Sequence, residues 1–250
     1  MIRKTVQRIL IGNALIICAM MPVVRPFVAQ GTATVTATPH DFASSYSVKL
    51  INKNGDVTEG NLRVERALIA YSLEFTWPTE KVKGAALIDG DTLAFADGPA
   101  TCSLFLYKIE ASGTLNGTFI PVNVALVSAS GMESAVATSE TTSTASVLKG
   151  AYAIKRLNPG TAGPLYLGTL VFFAGGASDP LRVIWDVQGK KQVGIGLRMG
   201  DWIALVAGVS PTDRCGVGLA TLLDDDSIEG SYVQLNSTAA SDFLGLRDEP

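Results

Sequence analysis

The residues able to do chemistry are few, and their spacing sets limits on what that chemistry could be. His40 is the only histidine, and it stands beside Pro39 ahead of the first strand-like run. A catalytic base needs a nucleophile and an orienting acid held by the fold. His40 instead reads as a solvated residue on an arm, without a counterpart in the later chain. Asp224, Asp225 and Asp226 form an acidic turn, as do Asp89 and Asp91. Calcium takes roughly six to eight oxygens from a shaped loop, and three consecutive aspartates cannot all face one ion, so these read as hairpin turns. GIGLRMG (194–200) has the glycines of a phosphate loop but lies between strand-like runs. A phosphate loop needs a strand that feeds a helix. No catalytic set, metal set or cofactor fingerprint emerges. Asp91 and Asp201 each follow a glycine at matched positions and read as turn residues. They are also the first pair to examine for a hydrolase that uses carboxylates alone, which needs two carboxyls flanking one cleft.

Tryptophans and cysteines offer more. Trp77 and Trp185 each end or occupy an apolar alternation, and the alignment below places one on the other. They read as a shared core aromatic, or as aromatics lining a barrel mouth where a small ligand binds. Trp202 stands where the first copy has Thr92 and points opposite Ile203 and Leu205, which makes it a candidate for an interface or binding surface. Cys102 and Cys215 are a possible disulfide. Equivalent residues of two copies meet only near a local two-fold axis, so two buried thiols, one per core, are the favoured reading and the bridge is the alternative.

The elements that hold these residues come in duplicate. GTLNGTF (113–119) and DSIEGSY (226–232) close two matching stretches. Cys102–Phe119 lies on Cys215–Tyr232 without a gap, and upstream GDTLAF (90–95) meets GDWIAL (200–205). Gly84 meets Gly194, Trp77 meets Trp185, Leu62 meets Leu170 and Tyr46 meets Tyr152. The copies span 42–120 and 148–234. Residues 121–147, rich in serine and threonine, read as a linker, and 235–250 as a tail. Within a copy, Tyr71, Leu73, Phe75 and Trp77 alternate with polar residues, the period of a strand with one buried face. The expected fold is therefore all-β: two tandem copies of an antiparallel meander of six to eight strands, closed as a small barrel or folded as a sandwich. On the strand after each cysteine, Leu104 and Leu106 match Val217 and Leu219 and are expected to face each copy's own core. Phe105 and Tyr107, set against Gly218 and Ala220, are expected to be covered by the other copy.

Residues 1–33 read as a secretory signal. Arg3, Lys4 and Arg8 precede an apolar run, Ile9–Val24, and small residues follow. The run is short against the roughly 20 apolar residues of a membrane span, and no other span is expected. Without this segment's four basic residues the chain keeps 16 Lys and Arg against 23 Asp and Glu, a net charge of −7. That balance leaves no basic stripe for nucleic acid.

The order Y-x-V, G-x-L, W, G-x-G, C-G-V and G-x-L-x-G-x-F/W resembles a glycine-rich β repeat of uncharacterised exported bacterial proteins, some labelled fibronectin-binding. The second copy carries it in Trp185, GIGL (194–197), CGVGL (215–219) and IEGSY (228–232). The first departs at Ser103 and Ala86. The resemblance implies export and a β repeat. The expectation is thus a secreted or periplasmic, non-enzymatic binding or structural module with an unknown surface or extracellular ligand. The alternatives are the carboxylate hydrolase and a carrier of a small ligand in a barrel cavity.

Overall fold

The computed structural model describes residues 42, 44–123, 129–138, 148–160, 165–173 and 179–248. The signal segment, His40 and most of the serine- and threonine-rich stretch lie outside the described residues. Alternating inward apolar and outward polar residues make strands, and the described residues hold sixteen of them and no helix. The first copy supplies β1 (Ser45–Ile51), β2 (Val57–Arg66), β3 (Tyr71–Thr76), β4 (Lys81–Asp89), β5 (Thr92–Asp97), β6 (Ser103–Ile109), β7 (Leu115–Pro121) and β8 (Gly131–Ala137). The second supplies β9 (Gly150–Leu157), β10 (Tyr166–Phe173), β11 (Leu181–Val187), β12 (Lys190–Met199), β13 (Trp202–Gly208), β14 (Gly216–Leu222), β15 (Ile228–Gln234) and β16 (Ser241–Arg247).

Two of these strands correct the sequence reading. β8 lies within the expected linker and β16 within the expected tail, so GTLNGTF and SIEGSY are not the last strands of their copies. Each is followed by one more. β8 escapes notice because small residues alternate there, with Gly131 and Ala135 inward beside Glu133. β16 (SDFLGLR) is a short edge-like run that the barrel closes over: it pairs β15 on one side and β1 on the other.

All strands are antiparallel, and they close into two barrels of eight strands. Strands β6 to β13 are consecutive and form one barrel, closed where β13 pairs β6 (Ala204 opposite Leu106). This is the inserted barrel. Strands β1 to β5 and β14 to β16 form the other, joined where β5 pairs β14 (Ala94 opposite Leu219). This is the split barrel. The copies are sequential in the chain but not in space, because each copy gives five strands to one barrel and three to the other. The β5–β14 and β13–β6 ladders are the same contact, made twice between copies. Closure leaves no free sheet edge.

Three buried clusters follow from the pleat. The split barrel is filled by Tyr46, Phe75, Phe95, Phe243 and their neighbours, and Phe42 is buried among them. The inserted barrel is filled by Phe105, Tyr107, Tyr152, Phe172, Trp185 and others. The third cluster lies between the barrels and joins Ala85, Ala94 and Ala96 of the split barrel to Leu104, Leu106, Ala204 and Val206 of the inserted one. This corrects the expected faces in part. Phe105 and Tyr107 are covered by the second copy as expected, but by Trp185, Ile203 and Leu205 inside a shared lumen and not by Gly218 and Ala220, which line the other barrel. Leu104 and Leu106, with their counterparts Val217 and Leu219, face the other barrel. Phe105 and Tyr107 face the lumen of their own. The conserved-size face is the one where the two copies meet through equivalent residues. The face that diverges in size fills two lumens that pack differently. Gly218 leaves room for a ring: a Cβ there would stand 1.9 Å from Phe95.

Cys102 and Cys215 sit just before β6 and β14, where the chain crosses from one barrel to the other and back. They are bridged, with Cα atoms 5.9 Å apart, so the two-thiol reading gives way to the alternative. The reason is the exchange of strands. Both crossovers pass the same point, and equivalent residues meet there as at a local two-fold. Gly98, with φ of +131°, carries the first crossover past Cys102 Sγ and the Arg214 carbonyl.

Candidate functional site

The strand registers revise the pairing of tryptophans. Leu73 lies opposite Gly84 and Val183 opposite Gly194, while Leu62 lies opposite Phe75 and Leu170 opposite Trp185. The counterpart of Trp185 is therefore Phe75, and Trp77 corresponds to Val187. The sequence alignment slipped by two residues, one full pleat, which preserves the inward phase and so hides the error.

Trp185 is fully buried in the inserted barrel and stacks on Phe105. A Cβ on Gly194 would lie 2.4 Å from its ring, which is what the first glycine of GIGL provides. Its indole N–H donates to Glu133 Oε1 at 3.1 Å. Trp185 thus sits in the core and not at a mouth. Trp202 is half-buried against the inter-barrel cluster, with Lys108 Nζ 5.3 Å from its ring centre. Trp77 alone stands at a barrel mouth. It lies just past β3, half-buried, and stacks on Phe75. The three tryptophans are not brought together.

Trp77 lines a cleft of ≈ 790 Å³ at one end of the split barrel, together with Glu80, Lys83, Asp97, Arg214 and Tyr232. The ends of β1, β3, β5 and β15 and the starts of β2 and β4 all lie at this end, so the barrel's antiparallel order gathers them. Asp97, the last residue of β5, is its most unusual group. It is 6% exposed, and Tyr232 Oη donates to its Oδ1 at 2.9 Å and Oδ2 at 3.1 Å. Burial lifts its carboxyl from the ordinary 3.8 to about 6, against the opposing pull of the Tyr232 and Gly216 hydrogen bonds. Burial and the Asp97 charge together hold the Tyr232 phenol well above its ordinary range. Arg214 and Glu80 face each other across the cleft at 3.8 Å.

The inserted barrel carries a second polar cluster inside its lumen. Glu133 accepts from Tyr107 Oη at 2.5 Å, from Trp185 Nε1, and from Arg156 Nε. The Arg156 guanidinium also lies over the rings of Phe105 and Phe119, at 5.2 and 5.1 Å. Burial and the Glu133 charge raise the Tyr107 phenol well above its usual range. In the split barrel the corresponding residues are Phe243 for Glu133, Leu50 for Arg156 and Ala220 for Tyr107. One lumen is closed by apolar packing and the other by a satisfied carboxylate.

Neither polar group was found from sequence. Asp97 and Tyr232 belong to different copies, and Glu133 lies in the stretch read as linker. One signal was available: Tyr152, Ile154 and Arg156 share the inward phase of β9, and a charge in that phase marks a buried ion pair. Asp91 and Asp201 lie on the β4–β5 and β12–β13 turns of different barrels, exposed, where their backbone carbonyls accept from Leu222 and Ile109. The acidic run at 224–226 is a turn in which Asp225 accepts from Ser227, and Asp226 pairs with Arg247. Among the described residues no group of three or more His, Cys, Asp or Glu side chains is placed to hold a metal ion, and no helix is long and apolar enough to cross a membrane. No family model, curated protein or solved structure matches the chain.

Proposed function

We propose that the protein is an exported, non-enzymatic binding module whose ligand site is the mouth of the split barrel. The observation that carries this is the cleft itself: an indole, a buried carboxylate and a phenol converge on a space of ≈ 790 Å³, while both lumens are filled. Ligand sites favour concave, largely apolar walls with a few placed polar groups, and the mouths of β-barrels. The N-terminal signal-like segment, the paired cysteines and the resemblance to exported repeat proteins support export and a ligand outside the cytoplasm. A thermal-shift and tryptophan-fluorescence screen of neutral sugars, amines and small carboxylates tests the site. The reading expects a hit that Trp77→Ala or Tyr232→Phe weakens. Hits that both variants leave untouched would move the ligand elsewhere.

A second reading, a hydrolase that works through carboxylates, gains one observation. Asp97, lifted to about 6, shares its cleft with Glu80, and a raised carboxyl suits a general acid. This moves the carboxylate pair from Asp91 and Asp201 to Asp97 and Glu80. Hydrolysis of aryl glycosides that Asp97→Asn abolishes would favour it.

A further inference from the structure

The outer walls of the two barrels serve as controls for each other. On the inserted barrel, the outward side chains of β8 to β11 include Met132, Val136, Leu167, Val171, Phe173 and Ile184. Four of these are widely exposed: Met132 49%, Val136 52%, Leu167 61% and Phe173 45%. Val171 adjoins Ile184 on β11 and Ala151 on β9, with Phe173 two residues along and Val136 reached through Ala153, while Leu167 and Met132 lie beyond Thr169, Lys155 and Ser134. On the split barrel the same registers place Asp242 for Met132, Glu59 for Leu167, Arg63 for Val171, Glu65 for Phe173 and Glu74 for Ile184. That wall is laced by the ion pairs Lys49–Glu59, Arg63–Glu65 and Lys81–Glu74. At Val136 the two walls agree, since its counterpart Leu246 is itself 60% exposed. On β10 and β11 one fold, duplicated in one chain, tolerates a charged wall, and the inserted barrel carries an apolar one. A contiguous apolar patch on a barrel exterior marks a contact surface.

Charge decides the occupant. Lys155 stands inside the patch, Lys149 at its border with Arg182, which also donates to the Ser237 carbonyl, and Lys191 of β12 opposite Asp186. The acids facing it are Asp179 and Asp186. This cationic rim runs against a chain that is acidic overall. A second copy docked through the same wall would bring two such cationic rims together, and like charges juxtaposed in an interface are unfavourable. The contact between the barrels engages Leu104, Leu106, Val206, Val217 and Leu219 with the alanines around them, and takes no residue of β8–β11. The outer patch is separate from it and carries exposed side chains. Protruding apolar groups beside lysines suit the boundary of an anionic bilayer, where the apolar groups enter and the cations meet headgroups.

We infer that the β8–β11 wall of the inserted barrel docks the protein on anionic lipid membranes. The test is co-sedimentation with vesicles of phosphatidylcholine, alone and mixed with phosphatidylglycerol, at low and high salt. The full chain should sediment with the anionic vesicles, less so at high salt and far less with phosphatidylcholine alone. Leu167→Glu with Phe173→Glu introduces the residues the split barrel already carries at these positions, and should weaken partition by about tenfold or more. Val171→Ser, which removes apolar surface without adding charge, serves if that pair fails to fold, which circular dichroism reports. Partition unchanged in these variants would assign binding to the N-terminal apolar run and overturn the inference. So would a wild-type chain that stays in the supernatant, or one that light scattering shows as a dimer which the glutamates make monomeric.

Discussion

Asp97 is a carboxyl that folding keeps from water, and this gives it a defined effect on stability. Its folded value, about 6, lies above the ordinary 3.8. Between the two values the folded chain binds more protons than the unfolded chain, so stability falls as pH rises through this window. Above pH 6 the charged Asp97 costs about 3 kcal/mol. Asp97→Asn removes that cost while an amide oxygen can still accept from Tyr232. The variant should therefore gain on wild type as pH rises from 4 to 7, in urea midpoints measured along the series. A constant difference would mean that Asp97 is not held away from solvent. The inserted barrel offers the opposite case. Arg156→Leu leaves Glu133 charged and buried with only two neutral donors, and should cost about 3–5 kcal/mol. Adding Glu133→Gln, which still accepts from Tyr107 and Trp185, should return about half of that loss. If the double variant is no better than the single, the charge of Glu133 is not what the arginine balances.

At the scale of elements, the crossovers decide the architecture, and the disulfide ties them together. The bridge spans 113 residues of sequence, and closing so long a loop limits the unfolded chain by about 4–5 kcal/mol in the chain-entropy account. Cys102→Ser with Cys215→Ser should lower the denaturation midpoint accordingly. Thiol counting on the unfolded, unreduced protein should find neither of these two free, leaving Cys18 as the single thiol in a chain that keeps residues 1–33. Strand content was readable in advance, because Tyr71, Leu73 and Phe75 or Tyr152 and Ile154 show their period in the chain itself. Eight strands per copy were less so, since β8 advertises itself only by Gly131 and Ala135. The faces of β6 were legible as two faces but not as to which lay inside. Leu104 and Phe105 are equally apolar, and only the partner strand, a hundred residues away, decides. The same limit hid the cleft, whose Asp97 and Tyr232 meet because β14 and β15 cross into the barrel begun by β1.

At the scale of the molecule, the account depends on that exchange. A duplicated β unit that closed each copy on itself would give two barrels with the same strand content and similar cores. It would separate Asp97 from Tyr232 and leave β5 beside β6. The exchanged form places β5 beside β14 and β13 beside β6, and it builds the inter-barrel core and the cleft mouth from both copies. Interstrand backbone nuclear Overhauser effects distinguish the two forms directly. The account predicts contacts between Ala94 and Leu219 and between Thr92 and Thr221, with Lys108 beside Trp202. Contacts of Ala94 with Leu106 and of Thr92 with Lys108 in their place would contradict it.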